Sequence, residues 1–105
     1  MKTSDLDGAA LNWAVAKCES VKLHEDAYSP STDWSQAGPI IERERIQITP
    51  GHQAHDPDKW SAIKYDHIFD GHDAFQGGDT PLIAAMKCYV TSKLGYEMEI
   101  PEGLR

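Results

Sequence analysis

From Leu6 to Glu19 the residues Leu6, Ala10, Trp13, Ala14 and Cys18 recur every three or four positions, the spacing that puts them on one helix face. An amphipathic helix is predicted there, entered through a capping-box-like Ser4 and Asp7. Its alanines, Ala9, Ala10, Ala14 and Ala16, leave a slim surface for a second helix. Val21 to Asp33 is rich in turn formers and reads as a loop. Trp34 to Gly38 predicts one helical turn capped by Thr32 or Asp33 and stopped by Gly38, with Pro39 starting a second short piece through Glu42. From Arg45 the alternation of Ile46, Gln47 and Ile48 predicts a strand ended by Pro50-Gly51, and Trp60 to Tyr65 predicts another. Asp66 to Asp79 has loop composition, with Gly71, Gly77 and Gly78. Thr80 then caps, and Pro81 opens, a helix whose buried stripe is Leu82, Ile83, Met86, Tyr89 and Val90 and whose stop is Gly95. Tyr96, Met98 and Ile100 alternate with glutamates as a half-buried edge strand. The expected fold is α+β, two main helices packed on a small, mostly antiparallel sheet, in a single domain over residues 1–105.

Composition narrows the function more than the fold. Of the 105 residues 40% are hydrophobic, enough for a packed core. Ten Lys and Arg stand against 17 Asp and Glu, a formal net charge of −7 that disfavours direct binding to nucleic-acid phosphates or an anionic membrane face. No apolar stretch approaches the roughly 20 residues that a membrane helix needs, so a soluble protein of the cytosol is expected. Cys18 and Cys88 lie in helical patterns among small apolar neighbours and are read as buried, free thiols.

Three constellations carry candidate chemistry. Gly77-Gly78-Asp79-Thr80-Pro81 is a glycine-led turn into a helix N-terminus, where free N–H groups favour an anion such as a phosphate. It lacks the Gly-Lys-Ser/Thr of a phosphate-binding loop, and the plain alternative is a capped helix with a tight approach. Tyr28, Ser31, Thr32, Asp33, Trp34, Glu42, Arg43 and Arg45 supply stacking faces, hydroxyls, carboxylates and two of the three arginines, an inventory that suits a nucleotide-type ligand. Its alternative is a turn-stabilised loop with a solvated charged face. His52, His55, Asp56 and Asp58, with His67, Asp70, His72 and Asp73, offer metal-type donors at spacings that no helix organises, so a solvated loop is the simpler reading.

Ser29-Pro30-Ser31-Thr32-Asp33-Trp34, Gly38-Pro39-Ile40-Ile41-Glu42-Arg43-Glu44 and Thr80 to Val90 with Ser92-Lys93-Leu94-Gly95 together resemble the NinX-like family of small proteins of tailed phages and prophages of enteric bacteria. The resemblance takes in the opening helix around Leu11-Asn12-Trp13-Ala14-Val15-Ala16 and leaves out Gly51 to Gln76. It implies a phage accessory protein and no particular reaction.

The reading that follows is a non-enzymatic protein that captures a small anionic, nucleotide-type ligand, such as a host-defence signal. The binding residues expected are Tyr28, Ser31, Thr32, Asp33, Trp34, Arg43, Arg45, Gly78 and Thr80. No catalytic set, cofactor or metal is assigned. A chain this short forms a buried pocket more readily between subunits, so a homo-oligomer is expected. The alternative is an acidic interaction module that inhibits or recruits a host or phage protein, and a third reading is a small hydrolase using the His and Asp loops.

Overall fold

The computed structural model describes residues 1–20, 28–51, 59–65 and 74–104. Along them run helix α1 (Gly8–Glu19), helix α2 (Trp34–Glu44), strands β1 (Gln47–Pro50), β2 (Trp60–Lys64) and β3 (Ala74–Gly78), and helix α3 (Pro81–Leu94). Short 3-10 turns occupy Thr3–Asp5 and Glu102–Leu104.

The fold is α+β. The three strands form an antiparallel sheet in the order β1-β2-β3, with Ile63 of β2 paired to Gln47 on one side and Phe75 on the other. Period-two alternation sends Ala74, Gln76 and Gly78 inward and leaves Phe75 exposed. Helix α3 is the common partner of the sheet, α1 and α2. That position explains its burial, which runs through Leu82, Ala84, Ala85, Met86, Cys88, Tyr89, Val90 and Thr91 and covers most of its circumference, more than the single stripe predicted. Leu6, Leu11, Ala14 and Val15 close the core from the α1 side.

Three local expectations are corrected. First, α2 continues through Gly38-Pro39 as one helix. Proline removes one hydrogen bond from a helix interior, but Pro39 sits on the exposed side while Ala37 and Ile40 are buried, and that packing holds the turns together. Second, Ala74–Gly78 is a strand although its glycines read as loop, because β2 supplies a full ladder from Trp60↔Gly78 to Lys64↔Ala74. Third, Tyr96 to Ile100 forms no strand. It meets the N-terminus in one bridge, Lys2↔Glu97, where Met1 and Met98 exchange backbone hydrogen bonds. The 3-10 turn at Thr3–Asp5 stops the ladder there and stands where a capping box was expected. Thr3 is buried with its hydroxyl donating to the Gly95 carbonyl at 2.7 Å, and Asp7, the N-cap of α1, makes no side-chain cap bond.

Candidate functional site

Two tight turns place the residues of interest. Before α2, the Thr32 and Asp33 N–H groups both donate to the Ser29 carbonyl, and the Ser31 N–H donates to Asn12 Oδ1 of α1 at 3.0 Å. The Asp33 carboxylate caps α2 by accepting from the Ser35 N–H at 2.9 Å and from the Ser35 hydroxyl at 2.6 Å. These bonds favour the charged carboxylate and hold its pKa below the usual range. Before α3, Thr80 Oγ1 accepts from the Ile83 N–H at 3.1 Å, the cap that the sequence predicts, and Pro81 follows at the first helical position.

The two turns face each other across an open hollow of about 240 Å³ lined by Ser31, Thr32, Trp34, Thr80, Pro81, Leu82 and Ile83. Its walls are apolar and its polar groups are hydroxyls. Trp34 is 57% exposed, a large aromatic left standing at the rim. Four of the expected binding residues, Ser31, Thr32, Trp34 and Thr80, therefore meet at one place. The sequence places Pro81 at the start of this helix and Leu82 and Ile83 in its buried stripe, and assigns none of them to a site. The signal for them was their position one turn after a capped N-terminus, on the side that the neighbouring turn approaches.

Other expected binding residues lie elsewhere. Gly78 is not part of the lining. It packs under the first turn of α3, where an added Cβ would come within 2.7 Å of the Ala84 nitrogen and 2.8 Å of the Ile83 side chain. Arg45 sits one residue beyond α2, at the end of the helix opposite Trp34, with a left-handed backbone at φ 54°. Arg43 belongs to a charged knot that joins all three helices. It donates to both oxygens of Glu19, at 3.1 and 2.6 Å, to Glu44 at 2.8 Å and to the Tyr89 hydroxyl at 3.3 Å. Lys64 and Lys93 approach Glu44 at 3.9 and 3.4 Å. Tyr28, packed against the core, feels this knot too: burial and then the Glu19 charge raise its pKa.

The knot was not visible in the sequence, because Glu19 and Arg43 are 24 positions apart and Arg43 and Tyr89 are 46 apart. Its electrostatics are those of a tie. Hydrogen bonds from Arg43, ahead of the opposing effect of burial, hold Glu19 below its ordinary value. Burial opposes ionisation of Glu44, but Arg43 and Lys93 outweigh it and its pKa is lowered. Burial, then the hydrogen bond to Glu19, pushes the Tyr89 phenol up. Burial also drives the Cys18 thiol up to about 11 and the Cys88 thiol up to about 12, the reverse of what a reactive thiolate requires. Both cysteines are free; Cys88 is buried as expected, whereas Cys18 is only half-buried.

Among the described residues no group of three or more His, Cys, Asp or Glu is placed to hold a metal ion. The readings that rest on His52, His55, Asp56, Asp58, His67, Asp70, His72 and Asp73 lie outside the described residues. Among the described residues no helix is long and apolar enough to cross a membrane.

Fold and hollow define a small α+β protein with an aromatic-rimmed cleft between a capped helix start and a hydrogen-bonded turn. The chain belongs to the family described as Bacteriophage P22, NinX, whose model matches residues 20–93. No curated protein matches the sequence.

Proposed function

We propose that this phage-family protein is a non-enzymatic binding protein of the bacterial cytoplasm that sequesters a small anionic, nucleotide-type ligand, such as a signal of host defence, at the hollow beside Trp34. The observation that carries this reading is the exposed indole over a concave surface that also holds three hydroxyl residues and the start of α3. An indole face is a sequence-tolerant platform for a base, and stacking of this kind contributes about 1–3 kcal/mol per base. The N-terminus of α3 carries partial positive charge, which favours the anionic part of the same ligand. At about 240 Å³ the hollow is below the roughly 300–1,000 Å³ of a pocket that buries a drug-sized molecule, so one copy of the chain covers only one moiety of a nucleotide. Arg43 is absent from the lining, and its guanidinium is spent on Glu19, Glu44 and Tyr89.

Calorimetric titration with ADP-ribose and with cyclic dinucleotides tests the reading. Heat of binding is expected for the unaltered protein and its loss for Trp34→Ala, a change at an exposed position that leaves the core in place. No heat with any of these compounds overturns it.

A second reading has its own support. Asp33 and Asp79 flank the lining residues, no cation among the described residues lines the hollow, and the chain carries a net charge of −7, a combination that suits a basic protein segment with an apolar anchor. Capture of a host or phage protein that is released by salt, with no heat from nucleotides, selects this acidic interaction module over ligand sequestration.

A further inference from the structure

One flank of α2 carries Trp34, Gly38 and Ile41 at spacings of four and three, and Arg45, the left-handed C-cap four residues on, stands just past its end, a stripe spanning about 16 Å. Trp34 and Arg45 are exposed at its two ends, and Ile41 is half-buried, packed against the core with only its outer edge open. At Gly38 a Cβ would meet nothing within 4 Å, which leaves a notch in the middle. The stripe is its own complement when reversed. Laid antiparallel on a second α2, it sets Ile41 of each copy in the Gly38 notch of the other and Arg45 of each copy against Trp34 of the other. A two-fold dimer needs this property, since the same patch must serve on both sides. Charge agrees with the pairing: Asp33, whose carboxylate is held in its ionised form, marks the Trp34 end, and Arg45 marks the other. The Arg45 guanidinium has no partner among the described residues.

We propose that a second copy of this chain docks along α2 and that its Arg45 completes the hollow beside Trp34. This rests on the nucleotide reading above and supplies what that reading lacks in one copy, a cation at an otherwise acidic rim. A guanidinium over the indole gains a cation–π contact and can pair with a phosphate. The Gly38 notch is what allows the close approach, and the partner's Ile41 fills it.

Sedimentation over a concentration series, run beside calorimetry with ADP-ribose, tests the pairing. The protein is expected to dimerise. Gly38→Gln fills the notch from a position with free space around it in one copy, so it should be monomeric while keeping the helical circular-dichroism signal of the unaltered protein. Arg45→Gly keeps the left-handed backbone and removes the cation, and should weaken ADP-ribose binding about tenfold or more, the loss of one charge-assisted contact. Gly38→Cys and Ile41→Cys variants, each made with Cys18 and Cys88 changed to Ala so that one thiol remains, should cross-link to each other when mixed and oxidised. A monomer at every concentration, a Gly38→Gln dimer, or full ADP-ribose affinity in Arg45→Gly overturns the proposal while leaving the nucleotide reading intact. A cross-linkable dimer that binds no nucleotide keeps the pairing and removes that reading.

Discussion

Arg43 of α2 holds Glu19 of α1 in a two-pronged grip, Nη1 to Oε1 at 3.1 Å and Nη2 to Oε2 at 2.6 Å, while its Nε turns back to Glu44 at 2.8 Å. A planar fork with five donors makes all three contacts at once, and an ammonium cannot. Arg43→Lys should therefore lower stability, read as a smaller urea midpoint. Because the Arg43 side chain is half exposed, solvent screens the pair and the loss is about 1 kcal/mol. Ligand binding at the hollow should be unchanged in this variant, which separates the structural role of Arg43 from the binding role that its residue type predicts.

The same knot sets the acid limit of the fold. Glu19 and Glu44 have lower pKa values folded than the ordinary 4.5 of an unfolded glutamate, so the folded state binds fewer protons than the unfolded chain. Their contribution is complete above that value and is lost as the pH falls below it. Tyr89 has the opposite sign: its raised phenol pKa stabilises the fold below the ordinary value of 10.0, and this is lost at higher pH. Thermal midpoints should fall on both sides of a neutral plateau. Glu19→Gln should lower the plateau and flatten the acid limb.

Gly78 is held by space. With the Ala84 backbone nitrogen 2.7 Å from where a Cβ would stand, Gly78→Ala must push β3 away from α3. Overpacking of this kind costs about 1–3 kcal/mol, and a drop in the urea midpoint of that size is expected. Gly38→Ala, at a position with nothing within 4 Å in one copy, should instead stabilise α2 by about 0.5–1 kcal/mol through helix propensity when unfolding is followed on the dilute monomer.

These contrasts show where local pattern is informative. Thr80-Pro81 and Asp33 were legible as helix starts because a cap acts within three residues of itself. The turn at Ser31 and Thr32 was legible as a place where polar groups gather beside an aromatic. Gly38-Pro39 looks like a break and is not one, since continuity of α2 is decided by what Ala37 and Ile40 pack against. Gly77-Gly78 looks like a loop or an anion cradle, and its strand character comes from pairing with Trp60 and Ser61. Nearness in sequence to Trp34 suggests that Arg43 belongs at the hollow, whereas the helical turns between them and its partner Glu19 on α1 carry it into the charged knot, away from the lining. Side-chain type was readable, and side-chain direction depended on contacts made at long range.

Between the inner face of the sheet and α3 lies a buried polar pair, Gln76 Nε2 donating to Thr91 Oγ1 at 2.9 Å, with the two residues 6% and 5% exposed. A buried amide that loses its acceptor retains the full desolvation cost, about 1–3 kcal/mol. Thr91→Val keeps the shape and removes the acceptor, so it should destabilise the protein by about that amount. Gln76→Met removes the donor instead, and the Thr91 hydroxyl can turn to a carbonyl of the preceding turn of α3, so this loss should be smaller. With both changes together nothing polar is left stranded, and the double variant should be more stable than Thr91→Val alone. The cycle, measured by urea unfolding, gives the coupling of the pair; additive losses would mean that the two side chains act independently.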